Sequence, residues 1–187
     1  MEKSFYSEEH KKEIDEINRI WQNLQNLEDL ASKKGIDDIF QDNGAKVLQQ
    51  IIMLNFDVLP GREGNDAISK SGIEWEMKSV NIDLTSGFST NHHTNHVIIN
   101  KYRRVPWSFA IYSGVELKEI YIMSPKQMEP MYLRWEQQLA DGTKTHLNNP
   151  KIPVKFVREN GIKVYPINPD SPVDPDDIIS NKKKEAL

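Results

Sequence analysis

The sequence predicts a fold of mixed helices and strands, α/β or α+β, on three observations. Apolar residues recur at helical spacing from Ser7 to Lys34, side chains alternate in strand fashion through IEWEMKSVNI, and short strand-like and helix-like segments then interleave as far as Tyr165. A chain of 187 residues has the length of one domain, with room for a small accessory subdomain, and is long enough to bury a core.

The first element is an amphipathic helix carrying Ile14, Ile17, Ile20, Trp21, Leu24, Leu27, Leu30 and Ala31 on one side. Ser7 is its expected N-cap, with Glu8 and Glu9 following, and Lys33 and Lys34 precede the stop at Gly35. A second helix is expected from about Asn43 to Leu54, burying Val47, Leu48, Ile51 and Ile52. The turn-rich GREGND leads into the strand IEWEMKSVNI, where alternation puts Glu74, Glu76 and Lys78 on one face and Ile73, Trp75 and Met77 on the other. A polar loop over residues 85–96 precedes a short helix in VIINKYRRV, a strand WSFAIY, a second strand EIYIM, and a helix from about Pro125 to Ala140. Asn160-Gly161 sits between two alternating runs in KIPVKFVRENGIKVYP and predicts a hairpin. The final stretch NPDSPVDPDDIISNKKKEAL, rich in proline and acids, is expected to be a poorly ordered, flexible tail over residues 167–187.

Composition excludes several functions. With no cysteine, disulfide frameworks, thiolate zinc sites and cysteine nucleophiles are ruled out, and any metal must bind oxygen or imidazole. No apolar run approaches the length of a membrane span, and the polar N-terminus fits neither a secretory signal nor a transit peptide, so a cytoplasmic protein with no membrane role is expected. The net charge of −4 conceals a division: residues 1–60 carry −5, residues 61–165 carry +3, and residues 166–187 carry −2. The basic excess in the middle is where a polyanion would bind.

Chemistry concentrates at Asp66 and, after nine intervening residues, Glu76-Met77-Lys78. Phosphodiester hydrolysis needs a hard cation, and magnesium is commonly held by one or two carboxylates completed by water and substrate phosphate. A strand places Glu76 and Lys78 on one face, so the carboxylate can reach the metal while the ammonium lies beside the attacking water. The backbone carbonyl of Met77 is a further candidate oxygen ligand. The competing reading of the same residues is an ordinary ion pair on a solvated strand edge.

The loop SGFSTNHHTNH holds His92, His93 and His96 among hydroxyl and amide side chains. Three readings stay open: an imidazole zinc site, a base-reading loop in which Asn suits adenine and imidazole N–H suits guanine, and a plain polar surface. Asn148-Asn149 before Pro150 is likewise a turn, a reading loop or both. Lys101, Tyr102, Arg103 and Arg104 form a basic, aromatic cluster suited to phosphates, or else a charged helix surface.

Through GIDDIFQDNGAK, VLPGREGNDA, EMKSVNIDLT, GFST, VIINKYR, VPWSFAIY and NNPKIPVKFV, from about Leu30 to Tyr165, the chain resembles the PvuII-type restriction endonucleases of the PD-(D/E)xK nuclease superfamily. The resemblance implies a mixed central sheet flanked by helices, with an N-terminal helical dimerisation region. It implies a homodimer on double-stranded DNA, with no small-molecule substrate, and magnesium-dependent blunt cutting of the palindrome CAGCTG. Position by position, Asp66 and Glu76 look like the metal-binding acids, Lys78 like the catalytic lysine, and Glu63 and Tyr102 like residues near that site. His92 and His93, with Ser89 beside them, resemble the major-groove readers, and Asn148 and Asn149 resemble asparagines that contact base edges. Gln41 and Asp42 resemble a pair that approaches the minor groove and couples binding to cleavage.

The chain departs from that pattern at Asn91, in the position of a third histidine of the reading loop, and at Ala45, Thr94 and His96. The implied organisation is a helical dimerisation subdomain over 1–55, a catalytic and recognition core over 56–166, and the tail. Against it stand a repair or resolvase nuclease on the same core, a DNA-binding module without catalysis, and zinc hydrolysis through the histidines.

Overall fold

The computed structural model describes residues 8–36, 38–40, 43–59, 65–166 and 174–184. The chain forms two compact units, Met1–Gln49 and Gln50–Leu187, which part inside a helix shortly before the boundary expected at residue 55.

In the first unit, α1 spans Glu8–Lys33. Its end is a Schellman motif: Ile36 N–H donates to the Ala31 carbonyl and Gly35 N–H to that of Ser32, with Gly35 at φ +79°. Leu24 and Leu27 pack with Ile36 and Ala45 against the buried Ala31, Ile39 and Leu48, and Glu28 accepts a hydrogen bond from Ile39 N–H. Further along the same helix Ile17, Ile20 and Leu30 stay 49%, 41% and 42% exposed, so the apolar stripe is longer than this small core uses. The expected cap Ser7 and the pair Gln41 and Asp42 lie outside the described residues.

The helix α2, Gly44–Leu54, runs into the second unit, where its Ile51 is buried. There a six-stranded sheet has the order β1 (Asp57–Val58), β2 (Ala67–Ile68), β3 (Glu74–Asn81), β5 (Trp107–Ser113), β6 (Glu116–Met123), β8 (Ile162–Tyr165). Among the described strands only β3 and β5 pair in parallel, and the connection between them carries α3, His96–Tyr102, as a parallel pair requires a crossover. A separate two-stranded sheet joins β4 (Gly87–Phe88) to β7 (Ile152–Pro153).

The central strand β5 is buried along nearly its whole length. Trp107, Phe109 and Ile111 join the main core, while Ser108 on the other face donates to Gln50 Oε1 at 3.0 Å, so the buried hydroxyl is satisfied. The helix α4, Pro125–Leu139, covers that core with Met128, Met131, Tyr132, Trp135 and Leu139. Ser124 and Gln127 close a capping box at its start, with Pro125 at the first position, where no intrahelical N–H is missed.

Two expectations are corrected. The run before Asn160-Gly161 does not form a hairpin, because Val154–Asn160 is a helix, α5, that buries Val154 and Val157. Ile152, Val154 and Phe156 also satisfy strand alternation, so the local pattern was ambiguous and packing chose the helix. Gly161 ends it by donating to the Val157 carbonyl at 2.8 Å, and a Cβ there would lie 2.7 Å from that same oxygen. The expected tail is in part a helix, α6, Pro175–Lys184. Asp174 accepts from Asp176 N–H, acids fill the first turn, and Pro175 and Ile179 are buried; Asp-Pro-Asp-Asp is a helix start that the disorder-like composition concealed.

The crowding at Gly161 makes a stability prediction. Gly161→Ala should cost about 1–3 kcal/mol in urea-unfolding measurements, because the displaced atom is backbone rather than a yielding side chain.

Candidate active site

The site forms where β2 stops pairing with β3. Ala67 pairs with Trp75, and just before it Asp66 N–H donates to the Trp75 carbonyl at 3.0 Å. Asp66 then turns its side chain to the same edge, and its Oδ2 accepts from Met77 N–H at 2.8 Å. The carboxylate thus takes the place of a strand carbonyl, which fixes it beside Glu76 and Lys78.

Lys78 Nζ lies 2.6 Å from Glu76 Oε1 and 3.7 Å from Asp66 Oδ2, and 5.9 Å from the centroid of the Trp107 ring. Glu76 is buried, and its N–H donates to the Pro106 carbonyl at 3.0 Å. Burial pushes the Glu76 carboxyl up to about 7; the Lys78 ammonium opposes the shift and the Asp66 carboxylate adds to it. Burial disfavours the Lys78 ammonium, but the carboxylates of Glu76 and Asp66 outweigh it and hold the amine protonated above its usual range. Tyr102, also buried, has its phenol pushed up by burial and by Glu76, and an edge-to-face contact at 4.7 Å sets its ring against Trp107.

Asp66, Glu76, Lys78, Tyr102 and Asn91 line one open cleft of roughly 770 Å³, together with Asn65 and Glu74. Lys101 and Arg104, both exposed, add positive charge to its wall. Arg103 is diverted from the expected basic cluster, because its guanidinium is bonded to Glu129 and Glu136, with contacts of 2.5–3.1 Å. The Met77 side chain is buried, and Glu63 lies outside the described residues.

The other predicted residues gather in a second cluster made of two segments distant in sequence. Thr94 and Leu147 exchange backbone hydrogen bonds, and Asn149 N–H donates to the Asn91 carbonyl at 3.1 Å. Within this ladder His92 Nδ1 lies 3.0 Å from Asn148 Oδ1, Asn149 Oδ1 accepts from Thr90 N–H at 2.8 Å, and Lys151 Nζ donates to Ser89 Oγ at 2.5 Å. His93 packs against His146 with ring centroids 4.7 Å apart. The three loop histidines do not converge: His92 turns to Asn148, His93 to His146, and His96 opens α3. Thr90, His146 and Lys151 were not anticipated; the one available signal was that they flank the flagged Asn91 and Asn148-Asn149.

A mixed sheet flanked by helices, with two carboxylates and a lysine at the end of a broken strand pairing, defines the class of restriction-endonuclease-like nucleases. The family model described as Restriction endonuclease PvuII matches residues 12–165, and the chain belongs to that family. It is therefore a type II site-specific deoxyribonuclease, of a kind that generally uses a divalent metal, and the readings as a binding module without catalysis and as a repair nuclease fall away. No helix among the described residues is long and apolar enough to cross a membrane.

The raised Glu76 carboxyl carries a pH prediction. The folded state holds this proton more tightly than the unfolded chain, whose carboxyl titrates near 4.5, so the stabilisation is complete below that pH and is lost as pH rises through about 7. In EDTA, the unfolding free energy of the native protein should fall over this window by up to roughly 3 kcal/mol more than that of Glu76→Gln. Parallel pH dependences in the two proteins would refute the shift.

Proposed function

We propose that the enzyme is a magnesium-dependent homodimer that cuts duplex DNA at the palindrome CAGCTG and leaves blunt ends, with Asp66, Glu76 and Lys78 as its reaction centre. The observation that carries this reading is the convergence of both carboxylates on the Lys78 ammonium in an open cleft. The donor set fits magnesium. Two hard carboxylates face one ammonium, and because burial pushes the Glu76 carboxyl up to about 7, a cation bound beside it would favour its charged form. Among the described residues no group of three or more acids and histidines could hold a metal, so Asp66, Glu76 and the Met77 carbonyl would leave further positions to water and phosphate.

When bound, the ion would supply Lewis-acid polarisation of the phosphate and a lowered pKa for the attacking water. The chain's own groups do the rest. Asp66 and Glu76 bind and orient, and Lys78, held protonated, stabilises negative charge developing on the phosphorus oxygens. Tyr102 closes the inner wall as a neutral phenol, and Lys101 and Arg104 attract the backbone. Glu63 near the centre, and Gln41 and Asp42 at the minor groove, are carried from the family.

Base reading falls to the second cluster. A hydrogen bond to Asn148 orients His92, leaving its other ring nitrogen for a base edge, and the ladder holds Ser89, Asn91, His93 and Asn149 in the same strip. Asn91 reaches both this strip and the cleft, so the departure there bears on specificity. The exposed Ile17, Ile20 and Leu30 of α1 support a two-fold apolar interface in a helical region over 1–55, and two-fold symmetry matches a palindrome.

Digestion of a plasmid of known sequence, with sequencing of the ends, tests this. Blunt cuts at every CAGCTG with magnesium and none in EDTA are expected; cuts elsewhere would assign a new specificity to the Asn91–His96 loop. Lys78→Ala should lower cleavage by more than about 100-fold while duplex affinity in EDTA stays within about twofold, since it removes charge at the reaction centre and no base contact. Undiminished cutting would remove Lys78 from the mechanism.

A further inference from the structure

We infer that α6 is a clasp on the catalytic strand, and that Asp176 is a positioning residue that holds Asp66 and Glu76 in register through Trp75. The inference rests on the reading of Asp66, Glu76 and Lys78 as the reaction centre, and it concerns a helix beyond the residues matched to the family, 12–165.

Asp176 is 6% exposed and spends both oxygens on the strand and its turn. Oδ1 accepts from Trp75 Nε1 at 3.2 Å, and Oδ2 accepts from Ser71 Oγ at 2.5 Å. Ser71 belongs to the turn between β2 and β3, which is itself closed by Ser69 N–H to the Ile73 carbonyl at 2.8 Å and Gly72 N–H to that of Ser69. One carboxylate therefore grips the turn and the second residue of β3 together. Its place in the first turn of α6 favours the negative charge, because the helix presents its positive end there.

Trp75 transmits that grip. Its ring is wholly buried, with Phe56 at 5.0 Å, on the face of β3 opposite Glu74 and Glu76. Its carbonyl accepts from Asp66 N–H, and its peptide leads directly to Glu76, so the backbone beneath both acids pivots on this one residue. An indole N–H in a dry core is costly unless an acceptor meets it. Asp176 is that acceptor, supplied from 101 positions along the chain. Were it lost, the indole would turn toward water and drag the strand, and reacting groups displaced by about an ångström lose up to two orders of magnitude in rate.

Three readouts test the clasp: the single-turnover cleavage rate at saturating enzyme, duplex affinity in EDTA, and hydrogen exchange of the Trp75 indole N–H by nitrogen-15 NMR. Asp176→Ala should expose the indole proton to exchange and slow cleavage by about 10- to 100-fold, with duplex affinity within about twofold. Asp176→Asn, which keeps an oxygen acceptor, should recover most of the rate. A wild-type rate in Asp176→Ala, a loss of DNA binding as large as the loss of rate, or an Asn variant as slow as Ala would each overturn the proposal. Should Asp176→Ala fail to fold, Ser71→Ala removes one donor at an exposed position, and an unchanged rate there would overturn it as well. Lys78→Ala, run beside these, separates the two ideas: if it still cuts, the active-site reading fails, whereas a dead Lys78→Ala with a fully active Asp176→Ala defeats the clasp alone.

Discussion

The constraint on which the second unit turns is that a buried carboxylate, Glu76, must be faced by a cation. Lys78 supplies the cation from two residues along the same strand, and Asp66 competes for it from the neighbouring one. Removing one partner from a buried pair of this kind costs about 3–5 kcal/mol, because the survivor is left charged in a poor solvent. The trio is therefore stable only if the backbone fixes all three groups at once. Register does this: β3 pairs with β5 from Glu76 to Asn81, and pairing with β2 stops where Asp66 can turn its side chain to Met77 N–H.

Around that trio the remaining groups sort by charge. Arg103, which the sequence left free to bind phosphate, is neutralised by Glu129 and Glu136 and ties the end of α3 to α4. Lys101 and Arg104, on either side of it in the chain, remain exposed at the cleft. A helix surface of alternating role thus separates a structural cation from cations available to a polyanion. Asn91 joins the cleft to the second cluster, since it lines the cleft and also accepts from His93 N–H and, through its carbonyl, from Asn149 N–H.

Much of this was legible in the residues. The helices α1, α2 and α4 follow from apolar periodicity, and β3, β5 and β6 from short strand-like runs bounded by turns, with β5 apolar enough to be buried on both faces; those patterns are written locally. The alternation that put Glu76 and Lys78 on one face survives in the cleft. Asp66 was legible as a candidate by its spacing, but its turn toward Met77 N–H was not, since that depends on where β2 releases β3.

What the sequence by itself determined is the inventory: which segments alternate, which acids and lysine lie two and ten residues apart, and which strings mark the family. Only the tertiary structure decided between readings that the inventory leaves equal. Val154–Asn160 satisfies strand and helix periodicity alike, and burial of Val154 and Val157 chose helix. The proline- and acid-rich end has the composition of a tail, but Asp176 meets Trp75 and makes part of it a packed helix. His92 finds Asn148 across 56 residues, and Thr94 finds Leu147. In each case the deciding free energy comes from burying or pairing a group with a partner far away in the chain, and no local pattern records it.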